Sequence, residues 1–113
     1  MSPSRFRAMA LALPDVVEGA HQGHPDFRVA GRVFATLLPD GAQAMVRVPP
    51  AVQRRLCELA AATPANGAWG RAGCTMLPLV DVDDAFVRGA LHDAWTAAVA
   101  AKRPSARRRR GGE

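Results

Sequence analysis

The stretch Phe27-Arg-Val-Ala-Gly-Arg-Val-Phe-Ala-Thr-Leu-Leu38 decides the fold. β-Branched and aromatic residues lie on both sides of Ala30-Gly31, which predicts two antiparallel strands joined by a two-residue turn. With that turn, Phe27 lies opposite Phe34 on one face of the hairpin, and both rings belong to the core. Alanine is unfavourable at a positive φ, so the turn is expected to be of the type that places glycine second, or to include a bulge. The register therefore stays open by one residue.

Further strands extend this hairpin into a sheet. Pro39-Asp40-Gly41 predicts a turn, and residues 44–48 predict a strand that stops at Pro49-Pro50. A short strand is predicted upstream over residues 17–21. Downstream, a loop over residues 63–68 precedes one or two strands over residues 69–79, kinked where glycines interrupt the pattern.

Helices are predicted before, within and after the strands. Ser2-Pro3 begins the first, whose apolar face recurs at helical spacing up to Pro14 through Phe6, Met9, Ala10 and Leu13. The second runs from Pro50 to about residue 61. Its predicted buried stripe is Val52, Leu56 and Leu59, with the polar residues mostly turned to water, namely Gln53, Arg54, Arg55 and Glu58.

The last helix is predicted to begin at an N-cap formed by Asp81, with Asp83 and Asp84 at its positive end. Its long buried face comprises Phe86, Ala90, Leu91, Ala94, Trp95, Ala98 and Val99. Trp69 and Trp95 are both expected to anchor the core.

The order of these elements predicts an α+β fold. An antiparallel sheet of about four to six strands packs against N- and C-terminal helices, with a short middle helix, because the connections are too short for parallel crossovers. The length of 113 residues suits one domain, which we assign to residues 1–101. No apolar run approaches the roughly 18–20 residues of a membrane span, and residues 8–13 are short for a signal-peptide core. We expect a cytoplasmic protein.

The net charge of +5 lies entirely at the C-terminus. Residues 1–101 contain nine arginines and nine acidic residues, so the body has a formal net charge of zero. The segment 102–113 has no large apolar residue and self-repels, which predicts a disordered arginine-rich tail. Its arginines, Arg107, Arg108, Arg109 and Arg110, form either a solubilising end or a phosphate-binding arm.

A second basic group is predicted on the sheet. Arg28, Arg32 and Arg47 lie on adjacent strands and can gather on one face or rim, where they would grip phosphates. Arg71 and Trp69 would add a sugar or base contact. The same arginines also fit the ordinary solvent side of a half-buried sheet, balanced by Asp26, Asp40 and Glu58.

No enzyme signature is present in the sequence. His21 and His24, with His92, Cys57 or Cys74 nearby, have only weak metal-ligand spacing, and no phosphate loop or dinucleotide motif occurs. The cysteines are expected to be buried small residues rather than redox centres. We therefore expect no catalysis, no cofactor and no metal.

Several segments in this order resemble the MmcQ/YjbR family over roughly residues 4–101. They are Leu13-Pro14, Gly23-His-Pro-Asp-Phe-Arg-Val29, Gly31-Arg-Val-Phe-Ala35, Trp69-Gly-Arg-Ala-Gly-Cys-Thr75 and the closing Leu91 to Trp95 segment. The resemblance implies a CyaY-like (frataxin-like) fold with a double-wing arrangement, and a DNA-binding role. Arg32 stands where the family pattern usually has lysine, and Cys74 where it often has tryptophan. The acidic first helix through which frataxins bind iron is absent, so an iron-donor role is not expected.

Two functions follow from the sequence. The first is a non-catalytic, monomeric, DNA-binding protein whose tail supplies affinity and whose sheet arginines supply orientation. The second is an adaptor that binds a protein or a small molecule, with no role for the tail. A contiguous positive face from Arg28, Arg32, Arg47 and Arg71 favours the first, and an apolar pocket beside His24 and Trp69 favours the second.

Overall fold

A computed structural model describes residues 1–21 and 23–102. Within these residues the helices are α1 (Pro3–Leu11), α2 (Pro50–Leu59), α3 (Gly67–Arg71) and α4 (Asp84–Lys102). The strands are β1 (Val17–His21), β2 (His24–Val29), β3 (Arg32–Leu37), β4 (Gln43–Arg47), β5 (Thr63–Pro64) and β6 (Cys74–Pro78). The predicted α+β fold with terminal helices is confirmed. The predicted disorder of the arginine-rich tail falls on residues 103–113, outside the described part.

The strands form one antiparallel sheet in the order β1-β2-β3-β4-β6-β5. Helices α1 and α4 pack against one side of it, here called the inner face. Phe27, Ala35 and Val46 are neighbours on the inner face and are buried. On the opposite side, here called the outer face, the pairing register sets Asp26, Thr36, Met45 and Met76 in one row across β2, β3, β4 and β6.

The hairpin of β2 and β3 turns at Ala30-Gly31 as predicted, but its register differs. Phe27 pairs with Ala35 rather than Phe34, because a bulge between Phe27 and Arg28 shifts the pairing by one residue. Both turn residues have positive φ, 54° at Ala30 and 77° at Gly31, as a primed turn requires. The shift still leaves both phenylalanine rings in the core, at 0% and 1% exposure.

The first helix begins where its sequence predicts but ends at Leu11, before the predicted end at Pro14, so Leu13 lies beyond it. The Ser2 hydroxyl accepts a hydrogen bond from the Arg5 backbone N–H at 3.1 Å, which caps α1. Phe6 and Ala10 are fully buried, and the Phe6 ring meets the edge of Phe27 at a centroid distance of 6.2 Å. This contact joins α1 to the inner face of the sheet.

The buried stripe of α2 is rotated from the predicted one. Leu59 is 68% exposed, whereas Gln53, predicted to face water, is buried. The Gln53 amide donates to the carbonyl oxygens of Gly70 and Cys74, at 3.0 and 3.1 Å. These polar partners make burial of the glutamine favourable, so hydrophobic spacing alone misplaced the stripe.

The strands predicted over residues 69–79 are only partly correct. Residues 67–71 form the helix α3 instead, and β6 begins at Cys74. Gly70 lies against the Ala65 backbone so closely that a Cβ would overlap its carbonyl oxygen, and Gly73 has a φ of 105°. These glycines therefore permit a tight helical turn, where the sequence pattern predicts a kinked strand.

The last helix begins later than predicted. Asp83 is the cap, since its carboxylate accepts from the Phe86 N–H at 2.8 Å, while Asp81 ends a 3-10 turn over Leu79–Asp81. The predicted face of α4 is confirmed, with Leu91 and Ala94 among its buried members. Trp95 is partly buried and its indole N–H donates to the Pro14 carbonyl at 2.9 Å. No helix in residues 1–21 and 23–102 has the length and hydropathy of a membrane span.

Candidate functional site

The structure divides the predicted basic residues between two places. Arg28 and Trp69 line a groove on the outer face of the sheet. Arg32 and Arg47 line a different groove, beside the last turns of α4. The predicted single cluster of Arg28, Arg32 and Arg47 is therefore not formed. Arg28 and Arg32 lie near the same end of the hairpin, but Arg28, opposite Val33, lines the outer-face groove, whereas Arg32, opposite Val29, is one position further along and lines the other groove.

The outer-face groove is an open cavity of about 590 Å³. Its floor is the outer face of β2, β3 and β4, and its far wall is Trp69 of α3 with the two residues before that helix. The exposed lining surface is mostly apolar, although polar and apolar side chains both contribute to it: His24, Asp26, Arg28, Val33, Thr36, Leu38, Met45, Ala65, Asn66 and Trp69. Such a cavity has the size and composition of a small-molecule site.

Asp26 and Arg28 form an ion pair on the groove floor. They are two residues apart on β2 and therefore share a face, with Nε to Oδ1 at 2.9 Å and Nη2 to Oδ2 at 3.1 Å. Asp26 is 2% exposed, and its hydrogen bond and charge raise the pKa of Arg28. The positive charge of Arg28 is thus balanced locally by Asp26.

Gly19 makes room for this pair. It lies opposite Asp26 on β1, where a Cβ would be 2.8 Å from Asp26 Oδ1 and 3.1 Å from the Arg28 guanidinium. A side chain there would push the pair out of place. Sequence reasoning missed this glycine, although the alternation of Asp26 and Arg28 along one strand was a usable signal for their pairing.

Trp69 was predicted as a core anchor, and that prediction is wrong. Its side chain is 67% exposed at the wall of the outer-face groove. Helix α3 turns Trp69 outward because its buried residue is Gly70. The side-chain amide of Gln53 donates a hydrogen bond to the Gly70 carbonyl oxygen and so fixes which side of the helix faces the interior. The indole is therefore available to a ligand rather than to the core.

Arg32 and Arg47 mark the second place, here called the basic end. Arg32 begins β3 and Arg47 ends the antiparallel β4, so both lie at the same end of the sheet. They line a groove of about 170 Å³ with Ala72 and the last turns of α4. Arg71 immediately precedes Ala72 and is exposed at the close of α3.

The described segments that form the basic end carry no acidic side chain to offset it. The segments that meet there, residues 31–35, 46–50, 70–74 and 94–102, contain no aspartate or glutamate. Among the described residues, ion pairs to acids are formed by other arginines, namely Arg5, Arg7, Arg28 and Arg55. The predicted tail arginines, Arg107, Arg108, Arg109 and Arg110, lie outside the described residues, but the chain leaves α4 at this end.

The histidines and cysteines do not assemble a metal site in the described part of the chain. His24 lines the outer-face groove, whereas His92 stacks on Trp95 at a centroid distance of 6.1 Å. Burial raises the pKa of the Cys74 thiol, an effect that the charge of Arg47 partly offsets. Burial also raises the pKa of the Cys57 thiol.

Comparison with known proteins identifies the family of this chain and a solved structure with the same fold. The model of the YjbR family matches residues 11–97, which include both grooves' sheet residues and most of α4. The chain belongs to the YjbR family. The crystal structure of a Pseudomonas syringae protein, a structural-genomics target, is similar to this YjbR chain with a TM-score of 0.69 and 14% sequence identity, covering 87% of this chain and 99% of that chain. At that identity the likeness shows a shared fold. No curated protein matches the chain.

Two of the segments that carried the YjbR resemblance contribute residues to the outer-face groove from β2 and α3. Residues 23–29 form β2 and its preceding turn, and residues 69–75 form the end of α3 and the start of β6. Cys74, where the family pattern often has tryptophan, is 1% exposed, so this position belongs to the interior rather than to a stacking surface. Arg32, where lysine is usual, retains a positive charge at the basic end.

Proposed function

We propose that this YjbR protein is a non-catalytic, monomeric, cytoplasmic protein that binds nucleic acid through phosphate contacts at the basic end. The observation that carries the proposal is that Arg32 and Arg47 line one groove, that the exposed Arg71 adjoins its lining residue Ala72, and that the described segments forming this groove contain no acidic residue. The C-terminal tail, which follows Lys102, adds further positive charge beyond the same end of α4. Such contacts position a protein on the backbone without reading base sequence.

The C-terminus of α4 is the competing partner for these arginines. A helix C-terminus carries roughly half a negative charge, and Ala101 of the last turn lines the same groove as Arg32 and Arg47. That partial charge stabilises the cations in place. It offsets only a fraction of three guanidinium charges, so the basic end keeps a net attraction for phosphate.

The test is duplex-DNA binding by fluorescence anisotropy across a salt series, with the full chain. Each phosphate contact contributes about −0.9 to the slope of log K against log[salt]. We expect Arg32→Gln, Arg47→Gln and Arg71→Gln each to reduce the magnitude of the slope by about 0.9. Replacing Arg107, Arg108, Arg109 and Arg110 together by glutamine reduces it by about 4.

Arg88→Gln is the matched control. Arg88 lies on α4 in a groove with Met9 and Leu13 of the N-terminal region, away from the basic end, and its loss changes the net charge equally. If the three basic-end variants behave like Arg88→Gln while the tail variant abolishes binding, the folded body takes no part. If the full chain shows no measurable slope, the nucleic-acid proposal is wrong.

The second function predicted from sequence, a ligand-binding module, is supported by a separate observation. An apolar cavity lies beside His24 and Trp69, as that function requires, and Arg28 within it is neutralised by Asp26. The two functions use different surfaces, so one chain can carry both.

A further inference from the structure

The outer-face groove contains a polar group that the fold does not use. Thr36 is only 6% exposed and lies between Asp26 and Met45 on the groove floor. No side-chain hydrogen bond to another described residue involves its hydroxyl, whereas the hydroxyl of the buried Thr75 donates to the Gly73 carbonyl. The Thr36 hydroxyl is not one of the buried polar atoms that lack a partner, so it opens into the groove, where a bound molecule can donate to it or accept from it.

Arg28 adds donors without adding net charge. Its guanidinium uses two N–H groups on Asp26, which leaves three of the five that this side chain carries. The side chain is 44% exposed in the groove. A ligand with hydrogen-bond acceptors is therefore favoured, while the neutral ion pair offers no electrostatic gain to a charged one.

Trp69 supplies a flat apolar surface at the wall. Its indole is 67% exposed, and Val33, Leu38 and Met45 line the same cavity. Large apolar surfaces that remain exposed in a concave site mark places where another molecule binds. A planar ring stacks on an indole better than a puckered one because of the π-system's charge distribution.

We propose that the outer-face groove binds a planar, uncharged heteroaromatic small molecule, stacked on Trp69 with its acceptor atoms toward Thr36 and Arg28. The cavity of about 590 Å³ fits a molecule of one to three rings. This assignment gives a ligand class to the second candidate function. It does not depend on nucleic-acid binding at the basic end.

The test is an NMR titration of the ¹⁵N-labelled full chain with caffeine, which is planar and uncharged and has only acceptor atoms. The indole N–H signal of Trp69 should shift and saturate. The Trp95 indole, hydrogen-bonded to Pro14, is the internal control and should stay in place. Nicotinamide should bind more tightly than cyclohexanecarboxamide, which has the same amide on a non-planar ring, and more tightly than the anion nicotinate.

Three variants distinguish binding in the groove from nonspecific binding of caffeine elsewhere. Thr36→Val keeps the side-chain shape and removes the hydroxyl, and Trp69→Ala removes the stacking surface; each should weaken caffeine binding about tenfold. Leu59→Ala, an exposed apolar residue that does not line the groove, should bind as the unchanged chain does. Well-dispersed amide spectra confirm that each variant is folded.

The outcomes distinguish this proposal from the nucleic-acid one. A tail variant with Arg107, Arg108, Arg109 and Arg110 replaced by glutamine should bind caffeine normally, even where its DNA binding is lost. The proposal is overturned if the Trp69 signal does not move at about 20 mM caffeine, well beyond the affinity that such stacked contacts supply. It is also overturned if cyclohexanecarboxamide binds as well as nicotinamide, or if Thr36→Val has no effect.

Discussion

Replacing Gln53 by leucine should destabilise the protein because it removes the attachment of α3, the helix that carries Trp69, to α2. Gln53 is 8% exposed, and its amide joins α2 to two other elements by donating to the carbonyl oxygens of Gly70 and Cys74. Leucine has a similar size and a similar helix propensity, so the change removes the amide while preserving helix and volume. Both hydrogen bonds are lost.

The expected cost is about 2 kcal/mol. Each carbonyl keeps one backbone partner, since Gly70 also accepts from the Gly73 N–H at 3.0 Å and Cys74 from the Ala65 N–H at 2.9 Å. Neither oxygen is left without any partner, so each lost bond costs about 0.5–1.5 kcal/mol rather than a full desolvation penalty. The apolar leucine recovers a part of this by burial.

Urea unfolding, followed by tryptophan fluorescence, measures the effect. With a slope of about 2 kcal/mol per molar, a loss of about 2 kcal/mol lowers the midpoint by about 1 M. Arg54→Leu is the matched control, because it introduces the same side chain at the next, exposed position of α2 and should change stability by less than about 0.5 kcal/mol. Equal midpoints for the two variants would refute the argument that Gln53 holds α3.

Other perturbations test the backbone, the thiols and the charges. Gly73→Ala should lower the free energy of unfolding by about 1–3 kcal/mol, because φ there is 105° and the added Cβ would overlap a backbone carbonyl oxygen. Gly89→Ala, with open space around it in α4, should raise the free energy of unfolding by about 0.5–1 kcal/mol, and urea midpoints compare the two variants. The buried, pKa-raised thiol of Cys74 should react with a thiol reagent about 100-fold more slowly in the folded protein than in urea, and equal rates would contradict its burial. The hydrogen bond from Arg5 lowers the pKa of Asp84, so their ion pair stabilises the fold above the ordinary aspartate pKa, and this contribution disappears as pH falls through the lowered value. The stabilities of the unchanged chain and of Arg5→Gln, measured from unfolding curves, should therefore converge in acid. A stability difference that stays constant with pH would count against the pair.

Much of the architecture could be predicted because its signals are local. Ser2 caps α1, Ala30-Gly31 turns the hairpin, and helical periodicity marks the buried face of α4. Each of these signals involves residues that are close to one another in the sequence. The six-stranded antiparallel sheet then follows from short connections and alternating strands.

The errors arose where distant residues decide the outcome. The bulge after Phe27 depends on how β3 fits both β2 and the core, so turn chemistry left the register open by one residue. The burial of Gln53 and the exposure of Leu59 depend on carbonyl groups of residues about twenty positions away. The periodicity of apolar residues contains no information about such polar partners.

The sequence by itself determined the fold class, the family, and where along the chain the net charge lies. It could not determine which surfaces result. Only the tertiary structure separated Arg28, neutralised by Asp26 in the outer-face groove, from Arg32 and Arg47 at the basic end. It likewise places Trp69, which is predicted in the core, at the wall of a cavity. The physical reason is that propensity and patterning act between neighbours along the chain, whereas a binding surface is made by side chains that only the packing of several elements brings together.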